Sequence, residues 1–259
     1  MPAGLETDEG TPAAPCCCST FRGYTDADDT DDITFLRNVA VSAIKDVVPK
    51  ETSNMVSIDS KRIYMAGHSN GCISSMAMAA VHSDLVAAVC CHAGAAQTAF
   101  PADYQPTPVW VAHGTADRII NYNGMDMFNG RYHTFGAHET HDVFAEANGC
   151  TTEKTIKVND SGNTGTRYIS EDCKNDATVE LFAIDDVGHS PYFGQGGFTA
   201  AAVEIDTTQL AWDFCSQHSN EVEPELILVE PDHESSASTF GLSSKILQAG
   251  LLAVMWFLY

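Results

Sequence analysis

The stretch R-I-Y-M-A-G-H-S-N-G, residues 62–71, decides the fold. Residues 62–66 form a short apolar run that predicts a strand, and residues 72–82 are small and favour a helix. Between them, residues 67–71 form a G-x-S-x-G pattern centred on Ser69. A strand, a sharp turn and a helix are the context in which this pattern exposes a nucleophilic serine. The alternative is a Gly/Ser-rich turn without catalysis.

The segments around this turn predict an α/β fold with a mostly parallel sheet. Apolar residues recur at three- and four-residue intervals from Ile33 to Val47, which predicts an amphipathic helix ending near Pro49. Further strands are predicted at 85–91, 109–112, 154–158, 166–170 and 178–184. Helices are predicted at 138–147 and at 206–215, the latter with Leu210 and Phe214 on one face. Strands that alternate with helices indicate flanking helices around one sheet.

A serine nucleophile needs a base, and the base needs a carboxylate that fixes its tautomer. Asp117 follows the strand and turn W-V-A-H-G-T-A, and His189 follows the strand at 178–184. Both are predicted at the carboxyl ends of strands, where α/β sites lie. Ser69 is therefore the expected nucleophile, Asp117 the acid and His189 the base.

Other residues compete for these roles. Asp126 is a weaker alternative for the acid. His68 and His113 are alternative bases, although His68 is adjacent to the nucleophile and His113 precedes the acid. The backbone N–H of Asn70, at the start of the predicted helix, is the expected oxyanion donor.

Composition limits the classes of partner. Hydrophobic residues make up 44% of the 259 residues, which suits one well-buried globular domain. Thirteen Lys and Arg against 35 Asp and Glu give a net charge of −22, which excludes nucleic acid as a favourable partner. This acidity is typical of a soluble secreted protein.

Nine cysteines without a C-x-x-C pair indicate disulfides rather than a zinc or redox site. Cys150 and Cys173 flank a turn-rich stretch at 158–166 and are the first expected pair. An odd total leaves at least one thiol over, for which Cys16, Cys17 and Cys18 are candidates. Asn159 begins a glycosylation sequon in the same turn, in agreement with the secretory pathway.

The two ends of the chain carry no globular pattern. Residues 1–29 are irregular, and the first ten lack the basic start and apolar run of a signal peptide. We therefore expect a catalytic domain at 30–218, an acidic Ser-rich linker at 219–245 and a hydrophobic tail at 246–259. The tail is compatible with a GPI-anchor signal and membrane attachment, with a core-docking helix or with an artefact of gene prediction.

Five segments together resemble a known family. They are D-D-I-T-F-L-R, R-I-Y-M-A-G-H-S-N-G, V-W-V-A-H-G-T-A-D, A-N-G-C and V-G-H-S-P, in this order. The chain resembles the α/β-hydrolase esterase group of polyhydroxybutyrate depolymerases, feruloyl esterases and acetylxylan esterases over about residues 14–217. The resemblance implies a triad of Ser69, Asp117 and His189, a Cys150–Cys173 disulfide, and no metal or organic cofactor.

The resemblance also implies a function and shows two departures. The expected activity is hydrolysis of feruloyl, acetyl-polysaccharide or polyhydroxyalkanoate-type esters through an acyl-enzyme, in the extracellular space or at the cell surface. Members of the group carry first strands and an H-G loop that this chain lacks before Ser69, which predicts an N-terminal truncation. Cys72 stands where related elbows carry glycine. The alternatives are a catalytically impaired surface or glycan-binding member and a serine peptidase; the oligomeric state stays open.

Overall fold

The structure is a computed structural model that describes residues 32–96, 100–127, 132–160, 162–190 and 203–229. The chain divides into two compact units. The main unit contains residues 59–225 together with the N-terminal residues up to 33, and the small unit contains residues 34–58 and 226–259.

The main unit is built on a six-stranded sheet with the order β1-β2-β3-β8-β7-β6. The strands are β1 Ile63–Met65, β2 Val86–His92, β3 Val109–Gly114, β6 Thr152–Asp160, β7 Asn163–Glu171 and β8 Val179–Ile184. β1, β2, β3 and β8 run parallel, whereas β6 and β7 complete the sheet in antiparallel pairing. The predicted α/β class with a mostly parallel sheet is confirmed.

A separate two-stranded sheet joins β4 Met125–Met127 to β5 Tyr132–Thr134 in antiparallel pairing. No strand is predicted there, because each strand has only three residues and the intervening loop gives no periodic signal.

Apolar runs explain why the central strands lie where they do. Every residue of β2, β3 and β8 is buried, as expected for parallel strands with both faces covered. The helices of the main unit are α3 Asn70–Val81, α4 Ala137–Ala147 and α5 Thr207–Cys215. The buried face of α5 is formed by Thr207, Ala211 and Cys215, and Leu210 of the expected face is 36% exposed.

The first helix continues beyond Pro49, where the sequence predicts its end. α1 Asp32–Ser42 passes into a π-helical segment, Ala43–Val47, and then into α2 Val48–Glu51. Pro49 falls within the first two positions of α2. Pro49 lies directly after the π-helical segment within this helical run, and it has no backbone N–H to donate there.

Three disulfides lie in the described part of the main unit. Cys150 is bonded to Cys173, which is the pair expected from the sequence. The other two join Cys72 to Cys91 and Cys90 to Cys215. Successive side chains of a strand point to opposite faces, so Cys90 and Cys91 attach β2 to α5 on one face and to α3 on the other. Cys16, Cys17 and Cys18 lie outside the described residues.

The first residues of the expected linker, 219–225, are part of the main unit and are bonded to its loops. Asn220 donates its backbone N–H to Lys61 O at 2.8 Å and its amide to Asp84 O at 3.1 Å. Lys61 Nζ donates to Glu221 O at 2.6 Å. These bonds give the start of the expected linker a fixed structure. The acidic composition of this segment does not predict that. The remaining linker after 229 and the tail at 246–259 lie outside the described residues.

Within the small unit, Asn38 binds the backbone of Val229 at both ends of its amide, with distances of 2.7 and 2.9 Å. Among the helices of the described residues, none combines the length and the apolar character that a membrane crossing requires.

Candidate active site

Ser69 occupies the sharp turn between β1 and α3. Its backbone has φ 58° and ψ −123°, a conformation that a residue with a side chain rarely adopts. Ser69 N donates to His92 O at 3.0 Å, and Ser69 O accepts from Cys72 N and Ile73 N at 3.0 and 3.1 Å. Bonds to β2 and to the first turn of α3 therefore hold Ser69 in this conformation, as an exposed nucleophile on a strand-to-helix turn requires.

The two glycines of the motif have different steric roles. A Cβ on Gly67 would lie 2.3 Å from Gly71 C, whereas a Cβ on Gly71 would meet no atom within 4 Å. A glycine on either side of the serine is expected where neighbouring backbone comes too close for a side chain. The structure assigns that requirement to Gly67 alone.

Asp117 lies in the turn that follows β3, and it is buried. Ile119 N and Ile120 N donate to its Oδ1 at 2.8 and 3.1 Å. Burial raises the pKa of Asp117, but hydrogen bonds from His113 and His189 outweigh burial and hold the pKa well below its usual range. Asp117 is therefore a carboxylate at neutral pH.

His189 lies in the loop after β8 and is in direct contact with Asp117. Its Nδ1 donates to Asp117 Oδ2 at 2.8 Å, and both side chains are buried. Gly114, the last residue of β3, permits this approach, because a Cβ there would lie 2.1 Å from Val187 O. Ala116 N also donates to Val187 O at 2.9 Å. The turn that carries the acid and the loop that carries the histidine are thus packed backbone against backbone.

His68 connects this pair to the serine. Its Nε2 donates to the backbone oxygen of His189 at 2.5 Å, and the two imidazole centroids are 4.6 Å apart. The structure thus brings Asp117 and His189 into hydrogen-bond contact. Ser69 directly follows His68 in the sequence, and among the described residues no hydrogen bond joins the Ser69 hydroxyl to His189.

The sequence rivals for acid and base occupy other positions. His113 is fully buried; its Nε2 donates to Ile120 O at 2.9 Å and lies 3.3 Å from Asp117 Oδ2. It therefore supports the acid and its loop from the interior. The sequence signal was its place four residues before Asp117 in H-G-T-A-D. Asp126 lies in β4, in the separate two-stranded sheet.

His92 is a buried histidine that the sequence does not single out. It ends β2, forms a parallel bridge with His68 and packs edge-on against Trp110. Burial, together with the neighbouring His68, lowers the pKa of His92 to about 3. This imidazole is therefore neutral behind the serine turn.

Asn70 is the first residue of α3, a helix of 12 residues. Its backbone N–H belongs to the helix terminus, where partial positive charge favours a developing oxyanion. Within the described residues, no group of three or more His, Cys, Asp or Glu side chains is arranged to hold a metal ion.

A twisted, mostly parallel sheet with a serine elbow and an Asp–His pair at strand ends defines an α/β-hydrolase. Residues 25–158 match the family model described as phospholipase/carboxylesterase, slightly more than half of the chain. The chain belongs to this family.

Two individual proteins are similar to the chain. Feruloyl esterase B of Piromyces equi is 31% identical over 221 residues, which cover 79% of this chain and 33% of that protein. The chain therefore spans about a third of the length of this relative. An acetyl xylan esterase structure from Aspergillus awamori covers 70% of each chain with a TM-score of 0.44 and 14% identity. The family is described as phospholipases and carboxylesterases, and this relative is a feruloyl esterase.

Proposed function

We propose that this protein is a serine esterase that hydrolyses carboxylic esters through an acyl-enzyme. The observation that carries the proposal is the 2.8 Å hydrogen bond between His189 Nδ1 and Asp117 Oδ2, placed beside an elbow serine. Such a bond leaves Nε2 of the same ring as the proton acceptor that a serine hydroxyl needs.

In the proposed reaction, His189 Nε2 takes the proton of Ser69 Oγ while the oxygen attacks the ester carbonyl carbon. The backbone N–H of Asn70 stabilises the oxyanion. His189 then gives its proton to the leaving alkoxide, and an acyl group remains on Ser69. A water molecule, deprotonated by the same histidine, releases the acid and restores the serine hydroxyl.

The charges around the histidine support this sequence of steps. Asp117 stays ionised because its hydrogen bonds hold its pKa low, and a carboxylate stabilises the imidazolium that forms beside it. Burial lowers the pKa of His68, so its neighbouring ring is neutral and adds no repulsion. One positive charge can therefore develop at His189 next to one negative charge.

Among candidate substrates, a feruloyl ester is favoured by the 31% identical relative, and acetylated polysaccharides and polyhydroxyalkanoates are the next classes to test. We further propose that the protein acts outside the cell, because three disulfides persist in oxidising compartments. Attachment to a membrane through the tail at 246–259 belongs to the same proposal.

The decisive experiment compares the purified wild-type chain with Ser69→Ala on p-nitrophenyl acetate and methyl ferulate. Ser74→Ala is the matched control, since Ser74 lies in α3 and only donates to Asn70 O at 3.0 Å. We expect hydrolysis by wild type and Ser74→Ala, loss with Ser69→Ala, and a fluorophosphonate adduct on Ser69. Folded wild-type protein that neither hydrolyses an ester nor forms the adduct would refute the proposal. Binding of feruloylated or acetylated xylan fragments by such a protein would then favour a non-catalytic, glycan-binding member.

A further inference from the structure

We propose that His68 is a positioning residue, which holds the loop of the catalytic base against the serine turn. The inference rests on the proposed function for its kinetic consequence. The placement of the His189 ring can also be measured without enzymatic turnover.

His189 is held at two separate points. Asp117 accepts the hydrogen bond of its ring, and His68 donates a hydrogen bond to its backbone oxygen. A bond at Nδ1 fixes the tautomer and one edge of the ring, but it allows the ring to pivot with the backbone behind it. The bond from His68 restrains that backbone, and the ring contact at 4.6 Å restrains the face of the imidazole.

The histidine loop is also anchored near its start. The loop follows β8 and includes Asp186 with φ 57°, in the left-handed region. Asp186 N donates to Thr115 Oγ1 at 2.9 Å, which anchors the start of the loop to the acid turn. His68 supplies the corresponding anchor at His189 itself, from the serine side.

His68 is itself rigidly placed. Its backbone oxygen accepts from Gly71 N at 2.9 Å, and it pairs with His92 in an isolated parallel bridge. The ring therefore projects from a hydrogen-bonded part of the turn, one residue before Ser69. One side chain thus sets the distance between the nucleophile and the loop of the base, which are 120 residues apart in the sequence.

The protonation of His68 is suited to this role. Burial lowers its pKa, and among the described groups the charges of His189, Asp117 and His113 also act on it. A neutral imidazole whose Nε2 carries the proton donates to a carbonyl without placing a second charge beside the base.

Three substitutions separate a hydrogen bond from simple packing. His68→Gln can place an amide N–H where Nε2 lies, whereas His68→Asn carries its amide where Nδ1 lies and falls short. His68→Leu keeps an apolar side chain of similar size without a donor. His218→Leu is the control, because His218 is also half-buried but packs on Phe214 of α5.

The kinetic measurement is the rate of fluorophosphonate labelling of Ser69, with kcat and KM for p-nitrophenyl acetate. A typical hydrogen bond predicts a loss of about 5- to 10-fold in labelling rate and kcat for His68→Leu and His68→Asn, with KM nearly unchanged. His68→Gln and the His218 control should stay within about two-fold of wild type on the same scale. Equal rates for all variants, or a loss that His68→Gln fails to restore, would overturn the proposal.

The structural measurement is the downfield proton resonance of the His189–Asp117 hydrogen bond in the NMR spectrum. We expect it in wild type, His68→Gln and His218→Leu, and we expect broadening or loss in His68→Leu and His68→Asn. An unchanged resonance in the last two would overturn the inference even if the protein hydrolysed no ester. An inactive wild type with the expected pattern would refute the proposed function and leave the positioning role standing.

Discussion

Two regions of the sheet are packed differently: the edge that carries the candidate site and the hairpin formed by β6 and β7. At the site edge, formed by the carboxyl ends of β1, β2, β3 and β8, backbone approaches backbone so closely that a Cβ on Gly114 would lie 2.1 Å from Val187 O. In the hairpin formed by β6 and β7, strand β6 is exposed along almost its whole length, and a Cβ on Gly162 would meet no atom within 4 Å. The candidate site residues thus lie where backbone segments are closely packed, whereas strand β6 is open to solvent.

The largest effect expected at the site edge is that of Asp117→Asn. An amide can accept from His189 less well and can donate to the ring instead, which favours the wrong tautomer. We expect kcat to fall by about 10⁴-fold while the fold is retained. The measurement is ester hydrolysis together with thermal unfolding; Asp160→Asn in the hairpin is the matched control and should leave kcat unchanged. Similar activity for Asp117→Asn and wild type would exclude Asp117 as the acid.

Removing one disulfide from each region tests whether the two regions differ in their effect on activity. Cys72–Cys91 lies near the candidate site, and Cys150–Cys173 flanks the hairpin. Cys150–Cys173 and Cys72–Cys91 close loops of similar size, with sequence separations of 23 and 19. Replacing either pair by alanine should lower the free energy of unfolding by about 3 kcal/mol.

Only the Cys72–Cys91 replacement should also lower kcat, because Cys72 lies in the first turn of α3, three residues after Ser69. Urea unfolding and kcat on the two double variants give the comparison. Equal loss of activity in both would show that the hairpin disulfide also supports the site.

A pair of glycine substitutions tests the difference in packing directly. Gly114→Ala inserts a methyl group against backbone oxygens that cannot move aside, so we expect a loss of about 3 kcal/mol in unfolding free energy. Gly162→Ala has free space but a φ of +88°, for which a loss of about 1 kcal/mol is expected. Thermal unfolding measures which variant loses more stability. A larger loss for Gly162→Ala than for Gly114→Ala would mean that the backbone at the site edge shifts to make room for the added methyl group.

The strands of the six-stranded sheet could be predicted from the sequence, because apolar runs such as those of β2 and β3, bounded by turn residues, are typical of strands that are covered on both faces. The extension of the first helix past Pro49 could not be predicted, since it follows a π-helical segment directly before the proline. The local sequence carries no signal for the change from α-helical to π-helical hydrogen bonding at 43–47.

The same limit applies to the site. The positions of Asp117 and His189 near strand ends follow from the sequence, because each lies in the turn or loop that follows an apolar run. The supporting roles of His113 and His68 do not, since their partners are set by how loops meet in space. The Cys90–Cys215 disulfide, with a separation of 125 residues, is undetermined by sequence for the same reason.

A smaller effect is expected from the pH dependence of His92. Its pKa is lowered to about 3 in the folded state, against about 6.5 in an unfolded chain. Between these values the unfolded chain binds one more proton, so stability falls as the pH falls from about 6.5 towards 3. Each pH unit in this window costs about 1.4 kcal/mol for that proton.

His92→Phe keeps an aromatic ring against Trp110 and removes the titrating group. We therefore expect the slope of unfolding free energy against pH to become shallower by one proton between pH 6 and pH 4, measured by urea unfolding. Above pH 7 the slope should be unchanged. Identical slopes in the acid window would mean that His92 is protonated in the folded protein.

The smallest effect is expected at the tip of the hairpin. Asn159 lies exposed near the end of β6, directly opposite Thr164, so a glycan there would extend into solvent beside the edge strand. Asn159→Gln, expressed in a secreting eukaryotic host, should increase electrophoretic mobility, because one glycan is lost. Unfolding free energy should change by less than about 0.5 kcal/mol, as for most exposed positions, and kcat should stay constant. An unchanged mobility would refute glycosylation at Asn159, and a fall in kcat would show that the hairpin reaches the chemistry at the site edge after all.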